Sequence, residues 1–174
     1  MDKVEFLILR NLLHNEEYLR KVIPFIKAEY FEDTNQKIIF EEILNFVTEY
    51  NQLATKEILC IEIEKRSDIN DSSFKEVTDL VSTLEDEPSD FEWLVDSTEK
   101  WCRDRAIYLA LMESIQLADG KGEQKGRDAI PSILSEALAV SFDNHVGHDY
   151  LQDYEERFES YHRKEDKIEF DLEY

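Results

Sequence analysis

Two histidines and two aspartates lie close together in the stretch SFDNHVGHDY, residues 141–150, and could bind a divalent cation. His145 and His148 are three residues apart, and Asp143 and Asp149 flank them. Imidazole nitrogens and carboxylate oxygens are common ligands of zinc and other transition metals. These residue types therefore raise the hypothesis of a metal-dependent hydrolase.

The support for this metal site is weak. His148 and Asp149 form the dipeptide seen in HD-type phosphohydrolases, but a catalytic site needs further ligands and a second shell that orients them. The two remaining histidines, His14 and His162, have no second histidine one helical turn away. We therefore expect no metal in this chain.

A hinge between two helices explains the same stretch better. Asp143 or Asn144 suits the end of a helix, and Gly147 supplies backbone freedom. Asp149 would then lie in the first turn of the following helix, where a negative charge is favoured. We expect Asp143, Asn144 and Gly147 to form the hinge.

Other catalytic chemistry has no diagnostic pattern in the sequence. Cys60 and Cys102 lie within apolar patterns, and neither has a histidine at a spacing that is diagnostic of a catalytic pair. We therefore expect reduced thiols in the core. The run DGKGEQKG, residues 119–126, lacks the GxxxxGK[ST] spacing of a phosphate-binding loop. We expect no catalytic and no cofactor-binding residue here.

The composition favours a folded, acidic protein. Its 174 residues carry a formal net charge of −21, and apolar residues make up 42% of the chain. Such a charge repels phosphate backbones and acidic membrane surfaces, which argues against autonomous tight binding to nucleic acid or membranes. No apolar run approaches the length of a membrane span. We expect a cytoplasmic location.

The scarcity of Gly and Pro, four and three residues, predicts an all-α fold with short connections. Apolar residues recur at helical spacing over most of the chain, and Asp33 or Thr34, Thr55, and Ser89 or Asp90 are predicted N-caps. One segment is ambiguous, because Leu59, Ile61 and Ile63 alternate as in a strand. We predict a helix there because its neighbours are helical.

A long helix over residues 90–118, a polar turn and a shorter returning helix predict a helical hairpin. Apolar residues recur near heptad spacing, which suits helix-on-helix packing. The residues predicted to pack in the hairpin are Leu94, Trp101, Tyr108, Met112, Ile115, Ile130, Ile133, Leu134 and Leu138.

A further helix is predicted after the hinge, and its apolar stripe is unusually aromatic. We expect this stripe to be buried against another surface. Its residues are Tyr150, Leu151, Tyr154, Phe158 and Tyr161. The last residues, KIEFDLEY, alternate like a strand, and we expect them to lead into a further domain.

The run AIPSILSEALAVSFDNHVGHDY resembles the linker region of T-even-like bacteriophage replicative helicases, which are DnaB-like hexameric DNA helicases. The segments PFIKAEYFED, VTEYN and LEDEPSDFEWLVDSTEKW match in the same order, so the resemblance extends over the whole chain. It implies a helical bundle over residues 1–88 and a subunit-pairing hairpin over 89–142. Residues 143–174 would hold the hinge, a linker helix and the lead-in to a motor domain.

The resemblance also implies a role in DNA replication within the bacterial host. The parent would be an ATP-dependent 5′–3′ helicase, with ATP and magnesium bound by a RecA-like motor that is absent from this sequence. The segment would assemble a hexameric ring, dock on a neighbour's motor through its aromatic stripe, and contact primase and a helicase loader. Single-stranded DNA would be bound only by the assembled ring.

Two alternatives remain open from the sequence. The chain could be a free-standing acidic helical protein that binds and modulates a replicative helicase through the same surfaces. The metal-dependent hydrolase that uses His145, His148 and Asp149 is the least favoured hypothesis.

Overall fold

Seven α-helices and two short 3₁₀ turns account for the regular structure of residues 3–120 and 126–142, which a computed structural model describes. The helices are α1 (Lys3–His14), α2 (Glu16–Val22), α3 (Thr34–Tyr50), α4 (Lys56–Glu64), α5 (Asp71–Thr83), α6 (Phe91–Ala118) and α7 (Ile130–Leu138). The 3₁₀ turns are Ala28–Tyr30 and Arg127–Ala129. These residues contain no strand, and the predicted all-α class is confirmed.

Side-chain caps begin most of the helices. Asp33, Thr55 and Asp90 precede α3, α4 and α6, and their side-chain oxygens accept hydrogen bonds from backbone amides of the first turn. Asn15 and Asn70 do the same for α2 and α5. Each cap satisfies an amide that has no partner within its helix. The caps predicted for α3, α4 and α6 are confirmed in this way.

Helix α4 resolves the one ambiguous segment. Leu59 and Ile63, four residues apart, have no exposed surface, whereas Ile61 between them is 53% exposed. A strand would place all three side chains on one face, while a helix separates the middle one from the other two. The prediction of a helix is confirmed.

The hydrophobic core lies where α1 packs on α2, α3 and α6, and where α3 packs on α4 and α5. Ile8, Tyr18, Phe40, Leu59 and Leu94 are among its fully buried side chains. None of the described helices combines the length and the apolar character that crossing a membrane requires.

Helix α1 also fixes the connection between α5 and α6. The Arg10 guanidinium pairs with the Glu87 carboxylate and donates a hydrogen bond of 3.0 Å to the Ser89 hydroxyl. The ring nitrogen Nε2 of His14 lies 2.9 Å from the carbonyl oxygen of Leu84. The start of α6 is therefore held to the bundle by polar contacts as well as by apolar packing.

The first half of α6 is part of the bundle. The ring of Trp101 lies 6.0 Å from that of Tyr30 and 5.0 Å from that of Phe31, measured between centroids. The hydroxyls of Tyr18 and Thr98 are 2.6 Å apart in the interior. Burial raises the pKa of Tyr18 well above its usual value, so the phenol stays protonated as a hydrogen-bonding group.

Candidate functional site

Catalytic chemistry finds little support in the described residues. Residues 3–120 and 126–142 contain no group of three or more His, Cys, Asp and Glu side chains that could hold a metal. Burial, with a smaller contribution from the negative charge of Glu99, raises the pKa of Cys102 to about 12. That thiol is protonated at neutral pH and is a poor nucleophile.

Several residues with predicted roles lie outside the described ranges, so their roles stay predictions. They are the hinge residues Asp143, Asn144 and Gly147, the candidate ligands His145, His148 and Asp149, and the docking residues Tyr150, Leu151, Tyr154, Phe158 and Tyr161.

The second half of α6 and helix α7 pack against each other as the two arms of a hairpin. Ala106, Ala110 and Ser114 follow one another at four-residue spacing on α6 and are less than 10% exposed. Ile133 and Ala137 are the buried residues of α7. Small residues one helical turn apart let two helix axes approach closely, so this contact leaves few large side chains inside the hairpin.

The opposite side of α6 carries an exposed apolar face, formed by Tyr108, Leu111, Met112 and Ile115. Their exposed fractions are 50%, 48%, 43% and 56%. The spacing of three, four and seven residues from Tyr108 places them in one stripe along the helix. Single exposed apolar residues are ordinary, but a contiguous set on one helix marks a contact surface.

The residues predicted to pack in the hairpin therefore fall into three groups. Leu94, Trp101 and Ile133 are buried, and Ile130 and Leu134 are half-buried. Those on the surface of the single chain are Tyr108, Met112, Ile115 and Leu138. That these four side chains pack in the hairpin stays a prediction.

The apolar residues of α6 change from buried to exposed along the helix, and this change has a geometric reason. A strict seven-residue repeat drifts by about 20° per heptad around a straight α-helix, so a stripe that begins at Leu94 rotates away from the core. The surroundings of the helix change as well, because α7 also packs against α6. The small buried residues were not singled out from the sequence, although their four-residue spacing was the available signal.

Arg105 marks the border between the bundle and the exposed apolar face. Its Nε donates a hydrogen bond of 2.7 Å to the carbonyl oxygen of Tyr30, and its guanidinium pairs with Glu32. The guanidinium carbon also lies 5.0 Å from the centroid of the Tyr108 ring. A cation over an aromatic face stabilises the ring in place, so Tyr108 is held in an outward position rather than left free.

The return segment, residues 140–142, brings the end of the hairpin back to the bundle. The Nε of Arg103 on α6 donates a hydrogen bond of 3.1 Å to the carbonyl oxygen of Val140. The ring of Phe142 stacks on that of Phe25, with centroids 4.7 Å apart and planes 26° from parallel. Phe142 is only 8% exposed. Both ends of the hairpin are thus attached to the helical bundle.

These features define a class of protein before any relative is considered. The described residues form an all-helical module with a hairpin that presents an exposed apolar face. Surfaces of this kind serve protein–protein contact.

Known proteins include a relative of this chain. No protein-family model matches the chain. The chain is 36% identical to the DnaB-like replicative helicase of Enterobacteria phage T4 in an alignment 174 positions long, which covers 95% of this chain and 36% of the helicase. This chain is therefore homologous to a segment of a phage DnaB-like replicative helicase, and it spans about a third of that protein's length. The family resemblance of AIPSILSEALAVSFDNHVGHDY and its companion segments is confirmed.

Proposed function

We propose that this chain is the N-terminal collar and partner-docking module of a phage replicative 5′–3′ DNA helicase, and that its hairpins pair between subunits. The observation that carries the proposal is the exposed apolar face of α6 in a chain homologous to such a helicase. ATP hydrolysis with magnesium would belong to a RecA-like motor, and single-stranded DNA would be met by the assembled ring.

The distribution of charge supports pairing through this face. The chain carries a net charge of −21, so two copies repel each other over most of their surface. Residues 106–118, in contrast, contain one charged residue, Glu113, in a chain of which 35% is charged. Two copies can approach here with little electrostatic cost.

The shape of the face also suits a second copy. A single stripe along a helix is complementary to itself when two copies pack about a twofold axis, because each residue then meets the partner's stripe in reverse order. Tyr and Met are enriched at the centres of protein interfaces.

Sedimentation of the 174-residue chain over a range of concentrations tests the pairing. We expect the parent to self-associate, and Met112→Lys with Ile115→Lys to raise the dissociation constant by about 100-fold or more, because two ammonium groups would be desolvated at the interface. Lysine lowers the net negative charge, so weaker association cannot come from added general repulsion.

The matched control is Ile61→Lys on α4, where an isoleucine of similar exposure lies away from the hairpin. This variant should associate like the parent. A parent that stays monomeric, or equal weakening by the control, would rule out pairing through the α6 face. Circular dichroism melts of all three proteins establish that the fold is retained.

The linker docking and partner roles are part of the same proposal. The predicted stripe includes Tyr154 and Phe158, and aromatic anchors dominate many protein interfaces. Tyr154→Ala with Phe158→Ala should weaken binding to an isolated RecA-like motor of the parent helicase by about tenfold or more, while the melting of residues 1–142 stays the same. Equal binding by variant and parent would refute docking through this stripe. Assembly of a hexamer and contact with primase and a loader are the further roles we assign to the module.

A further inference from the structure

Arg105 connects the exposed apolar face of α6 with the segment that precedes α3, residues 28–32. Its Nε donates a hydrogen bond of 2.7 Å to the carbonyl oxygen of Tyr30, and its guanidinium pairs with Glu32. The guanidinium carbon lies 5.0 Å from the centroid of the Tyr108 ring, three residues further along α6. One side chain therefore contacts both the 28–32 segment and the first residue of the exposed apolar face.

The 28–32 segment gives Arg105 a fixed anchor. Tyr30 is only 3% exposed and is part of the hydrophobic core. The amide of Glu32 donates a hydrogen bond of 3.3 Å to the carboxylate of Glu5, which is buried on α1. The backbone at both acceptors of Arg105 is thus held by the bundle, so the bundle determines where the guanidinium lies.

The exposure of these groups indicates that Arg105 acts through Tyr108. The side chain of Glu32 is 70% exposed, and an ion pair with so exposed a carboxylate contributes little to the stability of the fold. The side chain of Arg105 is only 15% exposed, whereas Tyr108 is half exposed. A protein that covers this face therefore contacts the tyrosine ring more than the arginine behind it.

We propose that Arg105 is a positioning residue for the pairing of two α6 faces. It orders the Tyr108 ring before association and so makes the strength of pairing depend on the 28–32 segment. This inference rests on the proposed pairing and adds the means by which the bundle controls it. A side chain that is ordered in advance loses less conformational entropy on binding. In a twofold pair the ring of each copy is ordered, so the effect counts twice.

A double-mutant cycle on the dissociation constant of the 174-residue chain tests this role. Arg105→Ala should raise the constant by about tenfold, because the cation over the ring and the order of the ring are both lost. Tyr108→Leu keeps an apolar side chain but offers no ring to the guanidinium. In the Tyr108→Leu background, Arg105→Ala should therefore change the constant by less than about twofold.

Tyr108→Phe keeps the ring, so the tenfold effect of Arg105→Ala should persist in that background. Equal effects in the parent and in the Tyr108→Leu background would mean that Arg105 only holds the helix in place, and the proposal would be overturned.

Arg103→Ala is the matched control for the loss of a positive charge on α6. Arg103 also pairs with a glutamate, Glu99, and also donates a hydrogen bond to a backbone carbonyl oxygen, that of Val140. Its loss should leave the dissociation constant within about twofold. A rise as large as that caused by Arg105→Ala would trace the effect to added negative charge and would refute the positioning role.

Glu32→Ala tests the dependence on the 28–32 segment. This change makes the chain less negative, so general electrostatics predicts tighter pairing of two copies. The positioning role predicts the opposite, a rise of about threefold in the dissociation constant, because the guanidinium loses one of its two anchors. An unchanged or lower constant would exclude control of pairing by this segment.

NMR measures the order of the Tyr108 ring separately, at protein concentrations where sedimentation finds only the monomer. We expect three-bond couplings that report one dominant side-chain rotamer, and Arg105→Ala should average them. An averaged ring in a parent that still associates would overturn the positioning role alone. An ordered ring in a parent that never associates would refute the proposed pairing, and Arg105 would then have no association to control.

Discussion

The two halves of α6 belong to one continuous helix but meet different surroundings. Residues 91–105 include seven charged residues, yet their inner face is buried in the bundle through Trp101, Thr98 and Cys102. Residues 106–118 include one charged residue. Their buried side chains are Ala106, Ala110, Ser114 and Leu117, and their outer face is apolar. The apolar residues thus move from the inside to the outside of the helix as the bundle ends.

This difference separates stability from recognition. In the first half, the large buried side chains become exposed to water only if the bundle unfolds, so their burial contributes to the stability of the fold. In the second half, Tyr108, Leu111, Met112 and Ile115 are already exposed to water in the single chain, so burying them against a partner would stabilise an association instead. The same residue types serve two purposes according to what lies beside them.

The largest expected effect comes from Trp101 in the first half. Trp101→Ala removes the contacts with Tyr30 and Phe31 and should lower the free energy of unfolding by about 3–5 kcal/mol. Urea denaturation followed by circular dichroism measures this loss.

Tyr108→Ala is the matched change in the second half. At low protein concentration it should cost less than about 1 kcal/mol, because the ring is half exposed and mainly contacts Arg105. If the two substitutions cost the same, the division of α6 into a stabilising half and a recognition half would be wrong.

A smaller effect concerns pH and Cys102. Burial raises the pKa of this thiol from 9.0 to about 12, so the native state keeps its proton at pH values where the unfolded chain loses it. The corresponding contribution to stability is complete below about pH 9 and is lost as the pH rises toward 12. The stability advantage of the parent over Cys102→Ala should therefore shrink between pH 8 and pH 10.

Urea denaturation of both proteins across that range measures the difference. Tyr18 and Tyr30, whose pKa values are also raised by burial, are present in both proteins and largely cancel. A difference in unfolding free energy that stays constant with pH would show that Cys102 is more accessible to water than its place in the first half of α6 implies.

The sequence was sufficient for the helices because their signals are local. Caps such as Asp33 and Thr55 act within one turn, and apolar periodicity follows from the helix itself. The alternation around Ile61 was ambiguous because only packing decides whether that side chain is buried. Local reasoning therefore predicted the class of the fold and nearly all of its elements.

The contact surfaces were harder to predict because they depend on residues far apart in the chain. Tyr108, Met112 and Ile115 were singled out as apolar residues of the long helix, but not as exposed ones, and Leu111 was not singled out at all. The pairing of Arg105 with Glu32 joins residues 73 positions apart, and no sequence pattern indicates it. Which face of α6 remains exposed follows from where α7 and the bundle lie.

The return segment determines how force passes through the molecule. Phe142 is stacked on Phe25 and Val140 is bonded to Arg103, so a pull on residue 142 is borne first by the base of the hairpin. The load reaches the bundle directly and does not travel around the tip. Tension applied at residue 142 would therefore leave the tip of the hairpin unloaded.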